Sequence, residues 1–275
     1  MSIAVVASAD PDQVLGQAGD LLASNPVGHN VVGTKLADAV RYGEAGRYWV
    51  GLQAGIPAGV AAAQPADAAL AVAPMPADLV FAVAAAIDAD GVGLPGVSGP
   101  AGTASRFAGQ WAAQRQITAT ITAAERVYEV RDLRLPAGVR GTRRRAEAAD
   151  LELLLSWLPG FEIGASWAGS NPAAVFVSRR LAAGDVWIWE DDGPVSMAAR
   201  TEAVAGVARI QAVNTPPVQR GRGYASAGVA ALSASVLAQG LRCVLTANVT
   251  NTAANSVYHR LGYQAVSDVR RYRFS

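Results

Sequence analysis

Apolar residues along the chain recur with two different periods. From Asp10 the period is helical. Asp10-Pro11-Asp12 has the form of a helix start, and Val14, Leu15, Ala18, Leu21 and Leu22 then fall on one face. Asn25-Pro26 breaks this pattern, and a second amphipathic stretch covers 29–40. Strand signals follow at Arg47–Gln53 and, past the turn Gly55-Ile56-Pro57, at 59–64 and 68–73. Helices are expected from Pro76 through Ile87 and over 103–116, where Phe107 and Trp111 stand one turn apart. The stretch 94–100 is punctuated by glycine and proline and receives no element. Residues 117–135, rich in β-branched side chains, read as two strands.

Pro136-Ala137-Gly138 is the best boundary, and it divides 1–137 from 138–275. Beyond it, 139–145 reads as a short strand. Asp150 is read as the cap of a helix with Leu151, Leu154, Leu155 and Leu158 on its buried face, stopped by Pro159-Gly160. Residues 174–181 receive no assignment. Segments 185–190 and 195–201 flank the turn Asp191-Asp192-Gly193-Pro194 as a hairpin. Then come an apolar run at 207–213, a turn, a glycine-rich loop at 218–225 and an alanine-rich helical segment. A second apolar run at 242–248, a polar segment at 251–263 and a strand-like end follow. Strand, phosphate-type loop, helix, strand, polar loop and helix form a cofactor-binding layout. The two halves also resemble each other. Tyr48-Trp49-Val50 ahead of Gly55 parallels Val186-Trp187-Ile188 ahead of Gly193, and 126–133 parallels 265–272, which reads as a duplication.

Composition bounds the function. The 275 residues are 51% hydrophobic and 16% charged, which suits a globular protein of one large domain or two. No stretch approaches the roughly 20 apolar residues of a membrane helix. The N-terminus lacks the basic region of a signal peptide, so a cytoplasmic location is expected. A net charge of +1 with mixed signs argues against a nucleic-acid partner. The dense basic cluster Arg140, Arg143, Arg144 and Arg145 is expected to be a solvated strand or linker edge, with a contact site for an anionic partner as the alternative. One cysteine, Cys243, excludes an internal disulfide and a Cys-rich zinc site, and its apolar surroundings suggest a small buried residue. His29 and His259 have no partners at ligand or triad spacing, and no metal is expected.

In the loop, Gly221 and Gly223 permit positive φ or close approach of a ligand. Backbone N–H groups at a helix start suit phosphate, and Arg220 and Arg222 add charge-assisted bonds. No Gly-Lys-Ser/Thr follows, so this is not a P-loop. Ser226 stands where a dinucleotide fingerprint needs its third glycine.

The stretch 207–263 resembles the GNAT superfamily of acyl-CoA-dependent N-acetyltransferases. Val218-Gln219-Arg220-Gly221-Arg222-Gly223, continued by Tyr224 and Ala225, matches that family's Arg/Gln-x-x-Gly-x-Gly/Ala loop, with Val218 departing at the first position. Asn251, Asn255, Tyr258 and Leu261-Gly262-Tyr263 match its second signature. The resemblance implies an α/β fold of two tandem copies. Each would be a mostly antiparallel sheet with a central, splayed parallel pair, flanked by helices. Residues 1–137 would be a degenerate copy and 138–275 the catalytic one. Acetyl-CoA is the implied cosubstrate. The loop 218–225 would hold its pyrophosphate, and Asn251 and Asn255 would contact the pantetheine. The backbone of Gln211, Ala212 and Val213 would pair with it, and Tyr258 would protonate the departing thiolate.

The implied reaction is direct acetyl transfer to a primary amine of a small molecule, by a monomer whose tandem copies mimic a dimer or by a homodimer. The alternatives are a protein lysine or N-terminal acetyltransferase and a non-catalytic acyl-CoA sensor. No base is assigned. Members of the family often carry a glutamate on the first core strand, but 207–213 holds no carboxylate. Glu190, Asp191 and Asp192 are expected to be solvated in the hairpin turn, and Glu202 lies near a strand end. In the first half, 73–77 has neither Gly-x-Gly nor arginine. Trp157, Phe161, Trp167, Trp187 and Trp189 are candidates for an acceptor pocket, with core filling the stronger expectation for each.

Overall fold

Asp10 starts the first helix as its sequence suggests. Its Oδ1 accepts from the backbone N–H of Asp12 at 2.9 Å and of Gln13 at 3.3 Å, with Pro11 at the first helical position. The computed structural model describes residues 2–64, 68–158 and 172–275. In chain order these form β1 (Ile3–Ser8), α1 (Pro11–Ser24), α2 (Asn30–Tyr42), β2 (Arg47–Gln53), β3 (Ile56–Ala63), β4 (Leu70–Val72), α3 (Ala77–Ala89), β5 (Gly96–Pro100), α4 (Ala101–Arg115) and β6 (Ala119–Val130). Then come β7 (Thr142–Arg145), α5 (Leu151–Ser156), α6 (Pro172–Ala182), β8 (Val186–Glu190), β9 (Pro194–Arg200) and β10 (Val207–Asn214). The chain finishes with α7 (Tyr224–Leu237), β11 (Arg242–Asn248), α8 (Thr252–Arg260) and β12 (Tyr263–Phe274).

The chain folds as two units. The first takes the described residues of 2–125 with Ser267–Ser275, and the second those of 126–158 and 172–266. In the first, β1 through β4 are antiparallel neighbours, β4 and β5 are parallel, and β5 pairs antiparallel with the end of β12. Both faces of this sheet are covered, which is why Tyr48 and Trp49 are buried although adjacent in a strand. Tyr48 packs with α1 and α2, and Trp49 packs with α3 and α4.

The second unit repeats the plan. Strands β7 through β10 are antiparallel neighbours, β10 and β11 are parallel, and β6 lies beside β11. One face carries α7 and α8 and the other α5 and α6. The last strand of each unit is thus drawn from the other half of the sequence. This is a mixed α/β architecture, with a central parallel pair in an otherwise antiparallel order.

Three sequence expectations change. Residues 117–135 hold one strand, β6, of 12 residues rather than two. No glycine, proline or asparagine interrupts it, and the chain bends only after Val130. The punctuated stretch 94–100 contains β5, because its glycines are strand residues chosen for close approach. A Cβ at Gly96 would strike the Tyr272 carbonyl, and one at Gly99 the Val72 carbonyl. Asp150 stands at the cap position of α5, but its side chain makes no cap bond to that helix. Its carboxylate accepts from the Glu147 N–H at 2.7 Å, closing a capping box over the 3-10 turn Ala148–Asp150.

The unassigned residues 174–181 lie in α6, which buries Phe176 and Val177. The stop at Pro159-Gly160 lies outside the described residues. The basic cluster is largely spoken for. Arg144 bonds Asp150 at 2.6 and 2.9 Å and Glu190 at 2.8 Å. Arg143 donates to the Ala231 carbonyl at 3.0 Å, and the Arg145 guanidinium lies 5.5 Å from the Trp187 ring. Among the described residues, no helix is long and apolar enough to cross a membrane.

Candidate active site

The site forms where the ladder around β10 fails on both sides. Against β11, the parallel register runs from Val207↔Arg242 to Ile210↔Leu245 and then ends. Against β9, the register slips between Gln211 and Asn214, so one extra residue is fitted into β10. Ala212 absorbs that residue with φ 51°, in a left-handed conformation that costs an L-residue about 1–2 kcal/mol. Its methyl is buried among the residues packed under α5 and α6. The bulge therefore leaves a free backbone edge at 211–213 beside a gap between two diverging strands.

An open groove of about 890 Å³ fills that gap. Of the residues that the sequence assigns to cofactor binding, Gln211, Ala212, Val213, Gln219, Arg220 and Gly221 line it. So do Gly223, Tyr224, Ala225, Asn251 and Tyr258. Val218, Arg222 and Asn255 do not. Val218 is 81% exposed. Asn255 is engaged elsewhere: its Nδ2 donates to the carbonyls of Asn248 at 3.1 Å and Val249 at 3.2 Å, and its Oδ1 accepts from the Tyr128 hydroxyl at 3.2 Å. Asn214, Thr215, Asn248 and Arg260 also line the groove. None of the four had a signal in the sequence, because each becomes a wall residue only once β10 and β11 diverge.

The glycine loop presents a helix start that no side chain of the described residues caps. Gly221 and Gly223 take φ 81° and 84°, and Gly223 is the cap residue of α7. No acidic residue lies in the first turn of α7. Arg220 is turned back by a bond from its Nε to the Thr215 carbonyl at 2.9 Å, which braces the loop. Tyr224 donates to Asp191 Oδ2 at 2.5 Å. A Cβ at Gly223 would fall 2.9 Å from Val139 Cγ2, so this glycine is set by both conformation and space.

The equivalent helix start in the first unit differs. There Asp78, in the first turn of α3, accepts from the Leu79 N–H at 3.0 Å and from Gln53 Nε2 at 3.0 and 3.1 Å. Pro74 and Pro76 ahead of α3 have no N–H to offer. A carboxylate thus already stands against one of the N–H groups at this helix start.

Tyr258 projects from α8 into the groove and is 8% exposed. Its ring packs against Tyr128 at 6.2 Å and Tyr263 at 5.9 Å. Burial pushes its phenol up to about 12, so it stays protonated through neutral pH. Asn251 caps α8 by accepting from the Ala254 N–H at 3.0 Å.

None of the described lining residues is Asp, Glu or His. Of the acids near the loop, Asp192 is solvated as expected. Asp191 is not: its side chain is 14% exposed and it holds Tyr224. Glu190 is paired with Arg144. None of the described tryptophans lines the groove. Trp187 is buried with Arg145 and Arg200 over its ring, and Trp189 donates to the Arg140 carbonyl at 2.9 Å. Trp157 accepts from Asn214 through its backbone carbonyl at 2.6 Å. Phe161 and Trp167 lie outside the described residues. Cys243 is buried, and burial pushes its thiol up. Among the described residues, no cluster of His, Cys, Asp and Glu could hold a metal ion.

Residues 188–273 match a family model described as FR47-like protein. A comparison with curated proteins gives no match. Solved structures resemble the chain over its whole length. An acetyltransferase from the GNAT family of Colwellia psychrerythraea is 11% identical with a TM-score of 0.61, covering 100% of both chains. A tandem GNAT protein from the clavulanic acid biosynthesis pathway is 13% identical with a TM-score of 0.61, covering 100% of this chain and 98% of its own. A GCN5-related N-acetyltransferase from Sphaerobacter thermophilus is 16% identical with a TM-score of 0.60, covering 98% and 95%. At these identities the likeness is one of fold.

Proposed function

We propose that this chain, a member of the GNAT superfamily, transfers an acetyl group from acetyl-CoA directly to a primary amine of a small molecule. The observation that carries the reading is the coincidence, in one groove, of the bulged edge at Ala212, the uncapped start of α7 and the protonated Tyr258. A pyrophosphate suits the N–H groups after Gly221 and Gly223 because they meet no carboxylate and end a helix dipole. A pantetheine arm carries amides that can pair with the free edge at 211–213, as an added strand would. A backbone N–H of that edge is the donor for the thioester oxygen as it gains charge.

In the reaction the amine nitrogen forms a bond to the acyl carbon, and the carbon–sulfur bond breaks. The Tyr258 phenol protonates the sulfur and recovers a proton that the amine has released through water. Among its described lining residues the groove offers no side-chain base, and in this reading the amine is taken up in its neutral form. The second unit carries the reaction. The first half is a degenerate copy without a donor loop.

The missing base favours a second reading, a non-catalytic acyl-CoA sensor. Thiol release from acetyl-CoA, measured with a panel of amines and with lysine peptides, separates the possibilities. Turnover with small amines supports the proposal, turnover with peptides alone makes this a protein acetyltransferase, and tight CoA binding without turnover makes it a sensor.

A further inference from the structure

Strand β6 brings a residue from the first half of the sequence into the second unit that the reading above leaves unused. Tyr128 is 2% exposed, and its hydroxyl donates to Asn255 Oδ1 at 3.2 Å. The Asn255 amide passes the constraint on, through its bonds to the carbonyls of Asn248 and Val249. Those carbonyls belong to the end of β11 and the turn that leads into α8, and both Asn248 and Asn251 line the groove. The Tyr128 ring meanwhile packs against Tyr258 with an interplanar angle of 49° and meets His259 edge-on at 5.4 Å. One side chain thus touches α8 at 255, 258 and 259, which share a helix face.

The other bonds in this segment are local. Thr250 donates twice to Asn248 Oδ1, and the Ala254 N–H bonds to Asn251. They shape the turn without fixing it to a neighbouring strand, whereas the Tyr128 bond does fix it. A phenylalanine would fill the same space. The hydroxyl is needed only if the Asn255 amide must be held in one orientation, with Nδ2 towards the β11 carbonyls.

We infer that Tyr128 is a positioning residue: its hydroxyl and ring fix the β11–α8 turn and the face of α8 that presents Asn251 and Tyr258 to the groove. The first half of the chain thereby supplies part of the donor site. The effect on CoA rests on the function proposed above; the effect on the turn does not.

The test compares full-length Tyr128→Phe and Tyr128→Leu with the unaltered protein, by amide hydrogen exchange and by CoA titration. Tyr128→Phe removes one hydrogen bond and keeps the ring. Exchange over 248–258 should quicken by about 3- to 10-fold, the dissociation constant for CoA should rise by a similar factor, and kcat should hold. Tyr128→Leu should lower kcat as well, because the ring against Tyr258 is lost. Unchanged exchange over 248–258 in Tyr128→Phe overturns the inference, whatever happens to the melting temperature. Quickened exchange in a protein that binds no CoA even unaltered supports the positioning role and removes the donor-site reading instead.

Discussion

The Tyr224 hydroxyl donates to Asp191 Oδ2 at 2.5 Å, joining the first residue of α7 to the turn between β8 and β9. The bond is largely sheltered, and the charged acceptor strengthens it. It fixes the angle at which the uncapped helix start meets the groove. Asp191→Ala leaves the Tyr224 hydroxyl without its partner. The expected loss is about 1–3 kcal/mol in stability, read by denaturant titration, together with weaker CoA binding. Tyr224→Phe removes the donor and should produce the same weakening of CoA binding. If both variants bind CoA as tightly as the unaltered protein, the bond only braces the hairpin.

Gly221 separates the conformational demand of the loop from its packing. Beyond its two chain neighbours, no atom of the described residues lies within 4 Å of where a Cβ would sit, yet φ is 81°. Gly221→Val should therefore fold, with a strain of about 1–2 kcal/mol, and place a branched side chain where the ligand is expected. Calorimetry should show CoA affinity reduced by at least about tenfold, or about 1.4 kcal/mol. Retained affinity would refute the loop assignment.

The contrast between α3 and α7 sets an expectation for the stoichiometry of CoA binding. At the start of α3 the Asp78 carboxylate accepts from the Leu79 N–H, and Pro74 and Pro76 stand within three residues of the helix. The first turn of α7 holds no acidic residue, and the prolines ahead of it, Pro216 and Pro217, stand further back, before the glycine loop. Calorimetric titration should therefore give one CoA per chain, and Asp78→Asn should not create a second site of equal affinity. Two equivalent sites in the unaltered protein would contradict this account of the first unit.

The pH dependence of turnover should reflect the groove's lack of a side-chain base. With no Asp, Glu or His among the described lining residues, kcat/KM should rise along the titration of the acceptor amine alone. The Tyr258 phenol, raised by burial to about 12, should impose no descending limb below about pH 11. Tyr258→Phe should lower kcat by about 100-fold while leaving the dissociation constant for CoA within a few-fold. A lower limb near pH 6–7 that does not move with the acceptor would reveal a protein base.

The sequence disclosed those parts of the site whose chemistry is written locally. Gly221 and Gly223 could be read because a positive φ demands glycine, and Tyr258 because it stands in a motif of fixed spacing. The first- and second-half strands could be placed by their alternation and turns. Tyr128 could not be read, because its role depends on β6 lying beside β11, a pairing between distant parts of the chain. The bonds of Asn255 could not be read for the same reason: its amide oxygen accepts from Tyr128 on the strand delivered opposite it, and its Nδ2 donates to the carbonyls of Asn248 and Val249. Strand β5 was hidden because Gly96 and Gly99 look like punctuation until Tyr272 and Val72 approach them. The bulge at Ala212 leaves no trace in composition, since nothing about alanine announces φ 51°.

Glu129, next to Tyr128 on β6, sets the last expectation. It is 5% exposed, and Arg242 at the start of β11 bonds both of its oxygens, at 2.7 and 3.0 Å. The bonds from Arg242 hold the carboxyl below its ordinary value, against the opposing effect of burial. Because the folded value lies below the unfolded one, the pair's contribution is complete above the unfolded carboxylate range of about 4.3. It fades as pH falls through the folded value. The Arg242 side chain is 42% exposed, so solvent screens part of the attraction. Glu129→Gln should therefore cost about 1–3 kcal/mol at neutral pH, and the difference from the unaltered protein should shrink steadily as pH falls below about 4. Denaturant titrations of both proteins at pH 7, 5 and 3 measure it. A difference that does not change with pH would mean that packing around β6, and not the ion pair, anchors that strand to β11.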